Sequence, residues 1–467
     1  MAHDSNRDNP HTRGVASFVA NLVYDDIPRE VRQRIKLLIL DALGCGLYGA
    51  KLPWSRILID RLTQLDDSRG CGIWGTDKRT SAPHAALLNG SLVQGFELDD
   101  VHRQGVLHVG AVTLPALIAV AETRKQPMTG RDFLTAAVAG YEIGPRVGMC
   151  MGQEHIAQGW HSGATLGVFS AAAGAARGLE LPEDLTVHAL GIAGTQSSGL
   201  MAVQYGAMAK RLHAGRAAQS GLYGALFAEA GFTGILDVFE SDYGGFCTTF
   251  SRSHDRFDLS ELTGGLGERF ETMRIALKFY CCVASNHTTL DAIRMMQDRH
   301  PFGAEDVDRI VVYGSKVTVD HVGWKYRPEG MTSAQLNLPF CVATLLLEGD
   351  VFVDQFSDDV IADPERMAVA EKVTTLHDPE ITAKGSNYRH LVRVEVLLKD
   401  GTAMEETVES ARGSEKRFAS EAEVVEKFSK LARHGLDEAA ANELRDCILN
   451  LEEVEDATTI ARLLSRA

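Results

Sequence analysis

Several patterns that announce a particular chemistry are missing from this 467-residue chain. Its eight cysteines (Cys45, Cys71, Cys150, Cys247, Cys281, Cys282, Cys341 and Cys447) contain no C-x-x-C, so iron–sulfur and zinc-ribbon spacings are absent. No nucleophile elbow, P-loop, H-E-x-x-H or EF-hand loop occurs, which argues against a serine hydrolase, an NTPase, a zincin and a calcium protein. No apolar run is long enough to span a bilayer, and the opening "MAHDSNRDNPHTRG" lacks the apolar core of a secretory signal. A cytoplasmic protein with reduced, mostly buried thiols is expected. Positive charge is also scarce. With 47 Lys and Arg against 63 Asp and Glu, the net charge of -16 repels nucleic acids and anionic membranes. A small anionic substrate remains compatible, provided that it meets a locally basic pocket.

What is present reads as helix after helix from about residue 12 to 235. Val31, Ile35, Leu38, Ile39 and Ala42 mark one face of a helix that Pro28 and Glu30 open. Later segments such as "DFLTAAVAGYEIGPRVG" and "ATLGVFSAAAGAARGL" are rich in Ala and Gly, which lets helices approach closely. After about residue 268 the pattern changes. "DRIVVYGS" is a β-branched run, and alternating Val392, Val394, Val396 and Leu398 precede Asp400-Gly401, a hairpin signal with a type I′ preference. Helical segments lie between these strands. Ser420 with Glu423 forms a capping-box pattern that opens a last set of helices, and Gly435 is placed to stop the first of them. The expected division is a helical domain from 1 to 268, a small α+β domain from 269 to 411, and helices from 412 to 467 that rejoin the first domain.

"GCGLYG" at 44–49 has the letters of a dinucleotide fingerprint, with Asp66 and Asp67 about twenty residues on. The fingerprint needs a preceding strand, whereas "RQRIKLLILDAL" is helical, so a helix end packed by small residues is expected. "FELDDVHRQGVLHVG" (96–110) is richer in chemistry. Asp99, His102 and His108 could move protons near neutral pH, hold a zinc ion, or form a capped polar loop. His155 and His161 precede another Ala/Gly-rich helix. Lys210, Arg211, His213 and Arg216 form a cationic set that could receive a carboxylate. Farther on, Lys278, His287, Arg327, Ser333, Gln335 and Asn337 are polar candidates.

The ordered segments "LLILDALGCGLYG", "NGSLVQGFELDDVHRQGVLHVGAVTLPALIAVAE", "GYEIGPRVG", "HSGATLGVFSAAAGAARGL", "MAKRLHAGRAAQSG", "ALKFYCCVASNH" and "RPEGMTSAQLNLPF" resemble the MmgE/PrpD family over nearly the whole chain. That family contains 2-methylcitrate dehydratases, cis-aconitate decarboxylases and iminodisuccinate epimerase. The resemblance implies a mainly α fold, with a large all-helical domain and a smaller α+β lid, a homodimer, and no metal or organic cofactor. It implies catalytic roles for Asp99, His108, His161 and Lys210. Substrate binding is expected at Glu97, His102, His213, Lys278, His287, Arg327 and Gln335, in a cleft under the lid. Phe340 and Val283 stand where cis-aconitate decarboxylase has a tyrosine and a histidine. The expected activity is therefore that of a 2-methylcitrate dehydratase-like hydro-lyase, with an epimerase or decarboxylase of the same family as alternatives and an inactive carboxylate-binding protein as a more distant one.

Overall fold

The computed structural model describes residues 9–152, 154–205 and 207–465. The chain is mainly α and forms two compact units. One comprises residues up to Gly95, Asp99–Ala276 and Ser420 onward; the other comprises Phe96–Leu98 and Leu277–Ala419.

The first unit is helical. Its helix Arg29–Gly49 follows Pro28, whose fixed φ suits the residue that leads into a first turn, and buries Ile35, Leu38, Ile39 and Leu43. "GCGLYG" is the last part of this helix. A Cβ at Gly44 would lie 3.3 Å from Phe428, and one at Gly46 2.7 Å from Trp74, so these glycines serve packing. The same device sets the crossing of helices Ala82–Val93 and Ala209–Glu229. A Cβ at Gly90 would sit 2.7 Å from the Gly215 Cα, and one at Gly215 only 1.9 Å from the Leu87 carbonyl oxygen. Backbone-to-backbone approach of this kind is open only to glycine. It brings the residues that follow Val93 beside the helix that carries Lys210 and His213. Helices Val109–Thr123, Gly130–Met151 and Gly167–Gly178 complete this core, and their small residues are almost wholly buried.

Glu421–Ala432 also packs in this unit, against Arg29–Gly49. It opens with the capping box that its sequence announces, Ser420 and Glu423 each satisfying the other's backbone N–H. Lys427 on this helix meets Asp41 at 2.5 Å, and both side chains are at most 1% exposed.

The second unit holds a four-stranded sheet of β1 (Val307–Gly314), β2 (Val373–His377), β3 (Val392–Leu398) and β4 (Ala403–Val408). The strand order is β2-β1-β3-β4, with β1–β2 parallel and the other pairs antiparallel. β3 alternates buried and half-buried positions, and helix Ala284–Arg299 covers β3 and β4. The β3–β4 hairpin falls where expected, but its turn differs from type I′. Gly401 has φ +93°, while Asp400 is not left-handed. Gly401 N–H donates to Leu398 O and Leu398 N–H to Thr402 O, which is a turn followed by a glycine bulge. Asp400 favours this form because its carboxylate accepts the Thr402 N–H at 2.8 Å. Among the described residues, no helix is long and apolar enough to cross a membrane.

Candidate active site

In the first unit, His108 is the residue that precedes helix Val109–Thr123. Its Nδ1 lies 3.1 Å from Asp99 Oδ2, at ion-pair distance, with the carboxylate buried and the imidazole partly exposed. The neighbouring Asp100 has a different task. Both of its oxygens lie 3.1 Å from the Gly110 N–H, so it holds the first turn of the helix just after His108. Burial and the nearby Asp99 push the Asp100 carboxyl up to about 7. The pair "DD" thus divides its work between the ring of His108 and the backbone N–H of Gly110, two residues further on. A non-glycine residue, Val106, is held at φ +49° in the turn that leads to His108, a conformation uncommon for a β-branched side chain.

His102 does not join them. Its Nδ1 accepts the Gly105 N–H at 2.9 Å, its Nε2 lies 3.0 Å from Glu271 Oε2, and the ring is 1% exposed. Both nitrogens are therefore used inside the unit, and the expectation that His102 contacts substrate is replaced by a structural role. Residues 101–102 pair as a short strand with 275–276, which brings His102 to Glu271. The zinc reading of Asp99, His102 and His108 fails on the same geometry, since His102 is committed elsewhere. Among the described residues, no group of three or more His, Cys, Asp or Glu is arranged to hold a metal ion.

A second set lies in the same unit. His161 precedes the short helix Ser162–Thr165, and its backbone N–H donates to Gly199 O. Its Nδ1 is 3.0 Å from Nδ1 of His213, with ring centroids 4.9 Å apart. Two Nδ1 atoms at that distance share one proton, so at least one ring is neutral. Burial lowers the pKa of His213, which disfavours its charged form. Lys210 is half-buried one turn before His213 on the same helix, while Arg216 is exposed and pairs with Gln219. Arg211 is buried, and its guanidinium donates to the backbone oxygen of Gln94 at 3.4 Å.

Gln94, which no sequence pattern singled out, lies near Gly163 in the same unit. A Cβ at Gly163 would lie 3.5 Å from His161 Cε1 and 3.9 Å from Gln94 Nε2. Gln94 is 2% exposed, and its Oε1 has no hydrogen-bond partner among the described residues. His155, by contrast, is a supporting residue. It is buried against Phe246 and Phe250, and its Nε2 is 2.7 Å from the Thr165 hydroxyl.

The second unit carries its own polar set. Lys278 Nζ donates to Glu97 O at 3.2 Å and lies 3.5 Å from Glu97 Oε2. Glu97 has φ +58°, the left-handed region that is strained for a non-glycine residue. Gln335 is fully buried, with Nε2 directed to Phe96 O at 3.4 Å and Oε1 lacking a hydrogen-bond partner. His287 is 3% exposed and donates from Nε2 to Cys282 O at 3.1 Å. Arg327 is not drawn into this set: it is exposed, and its carbonyl accepts the Glu329 N–H and the Ser333 hydroxyl. Phe340 is buried against Tyr326 and Phe356.

The fold class is thus that of a helical domain with a smaller α+β domain, bearing imidazole, carboxylate and lysine groups suited to proton transfer beside an anion. The chain belongs to the MmgE/PrpD family: the N-terminal domain of that family matches residues 13–258 and its C-terminal domain matches 280–453. It is similar to the "Cis-aconitate decarboxylase-like protein oryM" of Aspergillus oryzae, with 36% identity covering 99% of this chain and 98% of the relative. It is also similar to a cis-aconitate decarboxylase of Aspergillus terreus, at 33% identity over 99% and 97%, and to the Homo sapiens cis-aconitate decarboxylase, at 25% over 97% and 94%.

Proposed function

We propose that this protein is a lyase acting on a small tricarboxylate by moving a proton at the carbon next to a carboxylate, with decarboxylation of a cis-aconitate-like compound as its first candidate reaction. The observation that carries this reading is the 36% match to a cis-aconitate decarboxylase-like protein over 99% of the chain. It moves the emphasis from the hydro-lyase expected from sequence to a carboxy-lyase.

In such a decarboxylation the bond to the leaving carboxylate breaks, its electron pair forms a new double bond, and the allylic shift places charge beside a second carboxylate. That carbon then takes a proton, and CO2 leaves. Charge develops next to an anion, so cations positioned there lower the barrier. Lys210, in the unit that carries His161 and His108, is suited to that role. Proton delivery falls to His161 or His108. His161 has Nδ1 tied to His213, so Nε2 is the nitrogen through which it would exchange a proton, and Asp99 would orient and stabilise the His108 ring.

Hydration and dehydration make a second reading. It is favoured by the Gln94 carbonyl oxygen, an acceptor that an ionised carboxylate cannot satisfy and a hydroxyl can. Proton NMR in D2O of the chelator-treated enzyme with cis-aconitate, citrate and 2-methylcitrate tests both. Loss of CO2 with deuterium entering a carbon beside a carboxylate supports decarboxylation, and interconversion of hydroxylated and unsaturated acids supports the hydro-lyase. No reaction or exchange with any of the three refutes the proposal.

A further inference from the structure

Beside His108 lies a buried group of charges that extends to the last part of the chain, all of it within the helical unit. Asp99, which faces the His108 ring at 3.1 Å, Asp100, which holds the Gly110 N–H, and Asp41 are all fully buried. One point fixes their arrangement. A Cβ on Gly110 would lie 3.0 Å from Asp100 Oδ2, 3.0 Å from the Cβ of Ala42 and 2.8 Å from the Tyr141 hydroxyl oxygen. Helix Arg29–Gly49 therefore meets the start of helix Val109–Thr123 at the residue next to Asp41. Asp100 accordingly feels the charges of Asp99, Asp41 and His108, and Asp41 feels that of Asp99.

Carboxylates that share a dry interior raise one another's proton affinity, so their charge depends on the cations set against them. Lys427, on helix Glu421–Ala432, meets Asp41 at 2.5 Å and opposes the upward push that burial gives its carboxyl. Arg34, on the same helix as Asp41, acts on Asp41 and Asp100 and donates to Ile275 O at 2.6 Å. Tyr141 stays a neutral phenol, because burial and the adjacent Asp100 push its hydroxyl well above the usual range. A buried ion pair gains little stability over apolar residues of the same volume, so stability is a weak reason for the place of Lys427 and Asp41.

We infer that Lys427 and Asp41 are positioning residues for the Asp99–His108 dyad, their two opposite charges setting the field in which His108 takes up and releases a proton. This rests on reading His108 as a proton-handling group of a lyase, and it adds to that reading a residue from the C-terminal helices. Asp41 acts through Asp99 and Asp100, and Lys427 acts by cancelling Asp41.

Proton NMR titration of the His108 ring signal, assigned by its loss in His108→Gln, tests this without a substrate. Asp41→Asn removes a negative charge and leaves Lys427 in place, so protons nearby are held less tightly. The His108 midpoint should fall by about half a pH unit or more, the scale of effect that a nearby charge produces. Adding Lys427→Met removes the cation as well and should bring the midpoint back to within about 0.2 pH unit of wild type. Damage to packing would not be reversed by a second substitution in the same place. Asp41→Ser, equally neutral, replaces Asp41→Asn if circular dichroism shows that the asparagine variant does not fold. An unchanged midpoint in the folded single variant, or the same shift in the single and double variants, overturns the inference. Turnover separates it from the lyase reading, because the acid limb of the pH profile should move down with the His108 midpoint. If the midpoint moves and the limb does not, His108 does not handle the reacting proton and the pair has no positioning role. If none of cis-aconitate, citrate and 2-methylcitrate reacts, the lyase reading falls, and the midpoint alone upholds or overturns the coupling.

Discussion

His155 makes the stability of this protein depend on pH in a direction and by an amount that its surroundings define. Thr165 donates its hydroxyl proton to His161 O, so the Thr165 oxygen accepts from His155 Nε2–H. That places the ring's lone pair on Nδ1, which is buried without a hydrogen-bond partner among the described residues, close to Phe246 and Phe250. Protonation would create a buried charge with no acceptor. Burial accordingly depresses the His155 pKa from 6.5 to about 4. Between these values the unfolded chain binds the proton and the native one does not, so stability falls as pH falls from 6.5 toward 4.

At pH 7 the two states differ little. At pH 5 the unfolded imidazole is mostly protonated and the native one mostly neutral, and the linkage relation gives a loss of about 2 kcal/mol from this residue alone. His155→Gln removes the titration while keeping a donor for Thr165. Urea denaturation of wild type and variant at pH 7, 6 and 5 isolates the term as the change in their stability difference, since every other titrating group is common to both. The variant should gain about 2 kcal/mol relative to wild type between pH 7 and pH 5. A difference that stays constant over that range refutes the reasoning, and with it the assignment of Nδ1 as an orphaned lone pair. The consequence reaches the site because Thr165 closes the short helix that begins after His161.

Four further outcomes follow from the same geometry. Lys427→Met leaves Asp41 without its ion-pair partner in the interior, where burial already raises its pKa, and should cost about 3–5 kcal/mol in urea denaturation; adding Asp41→Leu should recover much of that loss, because the desolvation penalty leaves with the pair. Gly215→Ala forces a methyl into the Leu87 carbonyl and should destabilise by at least about 1–3 kcal/mol, with a lower melting temperature as the readout. His161→Ala and Lys210→Ala should each lower turnover by about a hundredfold or more with the circular dichroism spectrum unchanged; near wild-type rates would remove either residue from the mechanism. Asp99→Asn should lower kcat while leaving KM close to wild type, because the carboxylate faces His108 and not solvent.

The helical character of the first unit was legible because its pattern is local. Apolar periodicity, Pro28 and the Ser420–Glu423 box each act within one or two turns, and the structure contains them as read. The glycines of "GCGLYG" were legible as packing because the preceding residues repeat as a helix. The β3–β4 turn was legible as a turn but not by type, since the choice between a two-residue loop and a glycine bulge depends on whether Asp400 caps Thr402.

What remained hidden depends on pairs distant in sequence. His102 looked equivalent to His108, two imidazoles near two aspartates, and the difference is made by Glu271, 169 residues away. A buried carboxylate that takes one nitrogen, with a backbone N–H on the other, turns a candidate ligand into a brace. Gln94 was hidden in the opposite way. An amide after an apolar helix carries no signal of its own, and its place comes from Gly90 and Gly215, which let two helices approach to backbone distance and put the Gln94 carbonyl within reach of Arg211.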